Sequence, residues 1–232
     1  MLIELPDTAT VMAWHAHLSA HPLDAQIEVI AAARTLLFKA ATRRGLDSAL
    51  AALRELTPDD AAAGAHKRID IDVVYNGEDL EAVAEHYGIS TEALIDRHTS
   101  EDWLAAFGGF SPGFAYCTAA GSGWDTPRRS SPRTKVPRGS VALAGPFSAV
   151  YPIDSPGGWQ LLGSSPTPVW DLGENPPNRI SPGDEIRYRA VAEEVTLSPA
   201  TASAPASQPA RPAATVTAVG LQALFQLSLI HI

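Results

Sequence analysis

Cysteine occurs once in these 232 residues, at Cys117, which excludes an internal disulfide framework. Long apolar runs are missing too: no stretch reaches the roughly 18 residues that a membrane-spanning helix requires. The opening MLIELPDTATVMAWHAHL carries no basic segment ahead of an apolar core, so it does not read as a signal peptide. Basic residues are scarce. The 17 Lys and Arg stand against 26 Asp and Glu, and the net charge of −9 argues against general binding to nucleic acid or a membrane surface. No HExxH or paired Cys/His spacing suggests a metal, no GxxxxGK[ST] loop a nucleoside triphosphate, and no GxSxG elbow an esterase. These absences fit a cytoplasmic protein, and an apolar content of 45% suffices for a core in one large or two small domains.

Residues 1–76 alternate in pattern. LIEL (2–5) is a short apolar strand, and 9–20 has helical spacing at Val11, Trp14, His15 and Leu18, with Asp7 or Thr8 as its cap. IEVIAA (27–32) and TLLFKA (35–40) read as two strands. Leucines at 46, 50, 53 and 56 mark a helix that stops at Thr57-Pro58. RIDIDVVY (68–75) alternates apolar and polar, as a half-buried strand does. The order β-α-β-β-α-β predicts a ferredoxin-like domain. Two short helices, 79–88 ended by Gly88 and 91–99 capped by Ser90, form a connector over 77–103. From 104 to 192 glycine and proline separate short apolar runs (FAYCTA, SVALAG, AVYPI, WQLLG, PVWDL, DEIRYRAV), which predicts an all-β barrel or sandwich. The fold class is therefore α+β. Residues 193–214 enclose an Ala/Pro/Ser linker, and 215–232 are too few for a domain.

Cations are rare but not evenly spread. Within TPRRSSPRTKVPRGS (126–140), Arg128, Arg129, Arg133, Lys135 and Arg138 fall inside eleven residues with no acid among them. A solvated face would intersperse both signs. Guanidinium forks match carboxylates and phosphates, so the stretch points to an anionic ligand or an acidic partner surface. The prolines deny it a helix and hold it open, which predicts guanidinium groups left unpaired with the protein's own acids. FGGFSPGFAYC (107–117) groups Phe110, Phe114 and Tyr116 around glycine and proline breaks; a bulged core strand and a pocket wall both fit. SPGGWQLLG (155–163) predicts a tight turn, either structural or presenting the N–H groups of Gly157 and Gly158 to an anion beside Trp159. His98, near the end of a short helix, fits a helix C-terminal partner or a catalyst. Cys117 sits in an apolar strand and reads as a buried structural thiol.

The series RHTSEDW, GFSPGFAYC, TPRRSSPRTKVPRGSVALAGPFSAVYPIDSPGGWQLLG and PVWDL resembles the B-type subunit of bacterial 5-oxoprolinase, a family also labelled allophanate hydrolase subunit 1 or KipI-like. The same module forms subdomains C and D of the urea carboxylase carboxyltransferase. The resemblance implies a small α/β domain followed by a cyclophilin-like β-barrel. TVTAVGLQALFQ (215–226) resembles the first strand of the C-type partner, which implies a B–C fusion cut short; LSLIHI does not resemble the family.

The implied activity is ATP-dependent hydrolysis of 5-oxoproline to glutamate. The implied partners are a C-subunit-like domain and an A-subunit-like protein, with ATP and Mg bound by the complete complex. The isolated chain is expected to be inactive. On this reading Arg128, Arg129, Arg133 and His98 are candidate catalytic residues. Lys135, Phe110, Phe114, Tyr116, Tyr151, Gly157, Gly158 and Trp159 are candidate substrate contacts. Alternatives are a carboxyltransferase module acting on urea or allophanate and a KipI-like inhibitor of a sensor kinase. No metal ligand is expected on this chain.

Overall fold

The structure, a computed structural model, describes residues 1–58, 67–119, 121 and 123–192. The Ala/Pro/Ser linker and the segment resembling the C-type partner lie outside them. The first segment follows its sequence pattern closely. Strand β1 (Leu2–Glu4) leads into helix α1 (Thr8–Ala20), whose first turn is capped by the Asp7 carboxylate accepting from the Thr10 N–H. Strands β2 (Gln26–Ala31) and β3 (Thr35–Ala40) form a hairpin, and helix α2 (Arg43–Glu55) starts at Thr42, whose hydroxyl accepts from the Gly45 N–H. The three strands make an antiparallel sheet in the order β1-β3-β2. Leu36 and Phe38 of β3 meet Val11, Leu18 and Ala49 of the helices in one core. That burial stabilises an otherwise marginal pair of short helices.

Strand β4 (Arg68–Val73) departs from the ferredoxin-like expectation. It would lie beside β1 in that fold; instead it pairs in parallel with β12 (Glu185–Ala190), at the edge of a seven-stranded sheet. The cause is visible in the residues. Ile69, Ile71 and Val73 alternate into the barrel core with Ile186 and Tyr188. On the other face Arg189 of β12 reaches Asp70 and Asp72. The β-α-β-β-α-β order is present, but among the described residues the N-terminal sheet keeps only its first three strands.

Between them lie α3 (Leu80–Tyr87), stopped by Gly88 in the left-handed conformation at φ 66°, and α4 (Thr91–Ser100), capped by the Ser90 hydroxyl. Then come β5 (Trp103–Gly108), β6 (Ala115–Thr118), β7 (Arg133–Val136), β8 (Ser140–Ala144), β9 (Phe147–Val150), β10 (Ser155–Gly157) and β11 (Gln160–Ser164). The large sheet runs β11-β8-β9-β6-β5-β12-β4, while β7 and β10 form a separate ribbon. Its two ends meet. Val74 and Ser164 exchange backbone hydrogen bonds of 2.8 and 2.9 Å, which nearly closes the sheet into a barrel. Gly163 permits this seam, because a side chain there would strike the Val74 carbonyl.

Helices α3 and α4 are not a bare connector. Val83, Ala84 and Leu94 are buried in the barrel core beside Trp103 and Trp124. The segment PVWDL forms no strand and contributes one bridge, Trp170 to Asn178. Cys117 is fully buried and its thiol is pushed up to about 12 by that burial, so it is an inert core group.

Candidate functional site

The cationic stretch leaves the barrel after Trp124, runs along its surface, and enters the ribbon as β7. Its charges do not stand open to solvent as the sequence predicts. Asp79, at the mouth of α3, is 5% exposed and takes two of them. Arg129 Nη1 lies 2.7 Å from Asp79 Oδ1, and Arg133 Nη2 lies 2.9 and 2.8 Å from the two Asp79 oxygens. The Leu161 N–H adds a third partner at 2.7 Å. Arg133 also donates to Glu78 and, more weakly, to the Trp159 carbonyl. Burial pushes the Asp79 carboxyl up, but hydrogen bonds from Arg133 and the Leu161 N–H, with the charges of Arg133 and Arg129, outweigh it and hold its pKa below the usual range. Lys135 pairs with Asp154 at 2.7 Å. Arg138 gives its N–H to Asp154 and a guanidinium nitrogen to the Trp170 carbonyl.

The expectation of unpaired guanidinium groups therefore fails for Arg129 and Arg133. The physical reason is burial: guanidinium groups packed against a barrel wall need carboxylates. Asp79 and Glu78 went unnoticed because they lie about 50 residues upstream, in NGEDL. A cationic stretch without acids of its own, in an acidic chain, was the available signal.

Arg128 differs. It has no ion pair among the described residues and lies over the Trp159 ring, its guanidinium carbon 5.8 Å from the centroid. Trp159 heads an aromatic wall that gathers most of the predicted contacts. Phe114 sits 5.4 Å from Trp159, 5.0 Å from Tyr116 and 5.3 Å from Tyr151, each edge to face. Tyr116 is 5.5 Å from Trp159. Phe110 leans on Phe114 and Tyr151 from outside, 59% exposed, with its backbone at φ 66°. A bulky residue in that region is strained. Gly157 lies in β10, paired with Arg133, and a methyl group there would fall on the Tyr151 hydroxyl. Gly158 accepts the Arg129 N–H through its carbonyl at 2.8 Å. The predicted glycine turn is thus partly a strand.

Burial raises the pKa of both phenols, Tyr151 to about 12, while the Arg128 charge pulls each downward. Neither phenol hydroxyl has a hydrogen-bond partner among the described residues. Tyr151, Phe114 and Trp159 are themselves buried, so they form a small aromatic core, with Tyr116 half-buried and Phe110 and Arg128 exposed at its edge.

His98 is elsewhere. It is fully buried, its Nδ1 2.7 Å from the Tyr75 hydroxyl and its Nε2 3.0 Å from Ser148 Oγ, with its ring stacked on Tyr188. Ser148 in turn donates to the Tyr188 hydroxyl at 3.0 Å. Desolvation lowers the His98 pKa to about 3, so it is neutral. The structure places it inside the barrel, apart from the arginine loop.

Residues 2–180 match the family described as carboxyltransferase domain, subdomain C and D. The chain belongs to this family. It is 42% identical over 123 residues to the 5-oxoprolinase B subunit of Escherichia coli O157:H7, covering 52% of this chain and 56% of that one. It is 40% identical over 129 residues to the 5-oxoprolinase B subunit of Bacillus subtilis (strain 168), covering 54% of each. The chain thus spans about half the length of the curated relatives it matches. The crystal structure of TTHA0988 superposes with a TM-score of 0.68 at 30% identity, over 83% of this chain and 40% of that one. The urea amidolyase of K. lactis shares the fold at a TM-score of 0.67 and 16% identity, over 83% of this chain and 14% of that one.

Proposed function

We propose that the chain is a B-type component of an ATP-dependent 5-oxoprolinase, supplying one wall of a site that is completed by a C-subunit-like domain and an A-subunit-like protein. The likeness to two 5-oxoprolinase B subunits supports the reaction class. The observation that carries the reading is Arg128, an exposed cation without an ion pair among the described residues, at the edge of the aromatic core around Trp159. A guanidinium left free in this way can meet the anionic group of a ligand or of a partner subunit at the edge of the barrel. A lactam is resonance-stabilised, and phosphorylation of its oxygen makes the ring carbon electrophilic; ATP with Mg supplies that step in the complete complex.

The described residues fit the lactam better than the nucleotide. Of the four cations expected to meet a phosphate, Arg128, Arg129, Arg133 and Lys135, the last three are engaged by Asp79, Glu78 and Asp154. Asp79, the one buried carboxylate among them, is taken up by Arg129, Arg133 and the Leu161 N–H. No step through the nucleotide is therefore assigned to this chain, and its role is to bind and orient the ring. His98, neutral and enclosed, acts on the core and not on substrate.

The test is reconstitution with A-type and C-type partners, following 5-oxoproline-dependent ATP hydrolysis and glutamate release. Arg128→Ala is expected to lower kcat/KM for 5-oxoproline by about 10- to 100-fold, the worth of a charge-assisted hydrogen bond. A folded complex that shows no 5-oxoproline-dependent turnover would sink the proposal. It would favour the carboxyltransferase activity for which the family is named, with a biotin carboxylase as partner.

A further inference from the structure

Strand β1 and helix α2 border a lane that no strand among the described residues fills. In a four-stranded split-βαβ sheet the last strand lies there, antiparallel to β1 and beneath α2; here β4 has gone to the barrel. One side of β1 is satisfied. The Met1 ammonium donates to the Phe38 carbonyl at 2.7 Å and the Phe38 N–H to the Met1 carbonyl at 2.8 Å, and Ile3 and Leu5 follow in the same register against β3. Alternate residues of an antiparallel strand turn the other way, so the N–H and C=O groups of Leu2 and Glu4 point into the lane. No strand among the described residues pairs with them. Pro6 has no N–H, so the row of outward donors ends at Glu4.

The helix above is closed on one flank only. A methyl group at Gly45 would strike Ala25, beside the first residue of β2. The opposite flank carries Arg43, Asp47, Leu50 and Arg54 at helical spacing. Arg43 and Leu46 line a cavity of about 280 Å³ with Met1 and Phe38, which sets this flank on the β1 side. Leu50 is 38% exposed there. Arg43 pairs with Asp47 at 3.4 Å, while Arg54 has no ion pair among the described residues.

These groups are complementary to themselves. With antiparallel pairing centred on Ile3, Leu2 of each copy lies opposite Glu4 of the other, and each such pair exchanges two backbone hydrogen bonds. From Met1 to Ile3 a strand rises about 6.8 Å, a height that takes about four to five helical residues. Leu46 and Met1 line the same cavity, so Leu50 stands level with Ile3, on the two-fold axis. There it meets Leu50 of the other copy. Asp47, before the axis, comes to face Arg54 beyond it, twice over. An open strand edge, an apolar residue on the axis and opposite charges on either side suit an isologous interface. A foreign strand would satisfy the edge but leave Asp47 and Arg54 without that match.

We propose that a second copy of this chain completes the N-terminal sheet, β1 pairing with β1 about Ile3 and the two α2 helices meeting at Leu50. This pairing is independent of the substrate and of the 5-oxoprolinase reading.

Sedimentation equilibrium of the full chain tests it. Wild type is expected to form a dimer with a Kd below about 100 µM. Glu4→Pro removes one outward N–H from each copy and spares the bonds to β3, and Leu50→Glu sets two carboxylates on the axis. Each should raise Kd at least about tenfold with the circular dichroism unchanged. Leu172→Glu, which replaces an exposed leucine outside the N-terminal sheet, should leave Kd where it is. Arg54→Asp should weaken the dimer, and Asp47→Arg added to it should restore it. The Leu2 and Glu4 amides should exchange slowly in wild type and fast in Leu50→Glu. A wild-type chain that stays monomeric up to about 1 mM overturns the inference. So does a dimer indifferent to both Glu4→Pro and Leu50→Glu, which would use another face. A monomer whose Leu2 and Glu4 amides still exchange slowly overturns it as well, because the edge is then covered within one chain.

Discussion

Asp79 and His98 show how differently two buried polar residues can be kept. Asp79 is charged and is held so by two guanidinium groups and a backbone N–H. Its pKa is lowered, so its contribution is present above the ordinary carboxylate range and is lost only as pH falls through the depressed value. His98 is neutral and is held so by enclosure among Tyr75, Trp103, Trp124, Ser148 and Tyr188. The unfolded chain takes up its proton near the ordinary 6.5, whereas the folded chain resists until about 3. Between those values the unfolded state binds the extra proton. Stability is therefore full above 6.5 and falls as pH falls, by about 1.4 kcal/mol per pH unit for this group. Urea midpoints at pH 7 and pH 5 should differ in that direction. His98→Gln, which keeps a donor and an acceptor for Tyr75 and Ser148, should lower stability at pH 7 but flatten the slope. An unchanged slope in the variant would assign the acid sensitivity to other groups.

At the scale of elements, β4 decides the architecture, and its two faces contribute unequally. The inner face carries Ile69, Ile71 and Val73, all buried, with Ile71 and Val73 fully so. The outer face carries Asp70 and Asp72 against a half-exposed Arg189. Exposed ion pairs stabilise by at most about 1 kcal/mol, whereas truncating a buried isoleucine costs about 2–5 kcal/mol. Ile71→Ala should therefore lower the urea midpoint several times more than Arg189→Ala. The reverse ranking would mean that charge and not burial holds β4 on the barrel.

The same strand marks what was legible in the sequence. Local elements were: α1 and α2 start one to three residues before their apolar spacing, at the caps, and Gly88 ends α3 where a left-handed residue is needed. The partner of β4 was not read, because parallel pairing joins residues more than a hundred positions apart. A signal was present even so. RIDID and EIRYR align charge against opposite charge, Arg68 with Glu185, Asp70 with Arg187 and Asp72 with Arg189. At the site, the aromatic residues Phe110, Phe114, Tyr116 and Trp159, expected to form apolar walls, lie together, with Tyr151 among them and Arg128 over Trp159. Composition misjudged the remaining cations, since their acids arrive from another element.

At the scale of the fold, the N-terminal sheet and the barrel are joined through β5, a barrel strand whose side chains reach both cores. Trp103 and Ala105 point into the barrel core, while Ala106 and Phe107 pack with Leu36 and Phe38 of the N-terminal core. An irregularity in the β5–β6 register between Ala105 and Phe107 makes this possible by bringing the consecutive side chains Ala106 and Phe107 to the same core instead of alternating. Phe107 then stacks on Tyr116 at 4.5 Å between centroids, and Tyr116 is part of the candidate site. One ring thus links the N-terminal core to the wall on which Arg128 lies. Phe107→Ala should cost about 3–5 kcal/mol, as large core truncations do. Because Phe107 sits in the N-terminal core and stacks on Tyr116 of β6, hydrogen exchange should quicken in α1 as well as in β5 and β6. Faster exchange confined to α1, with β6 untouched, would show instead that the two cores are energetically independent.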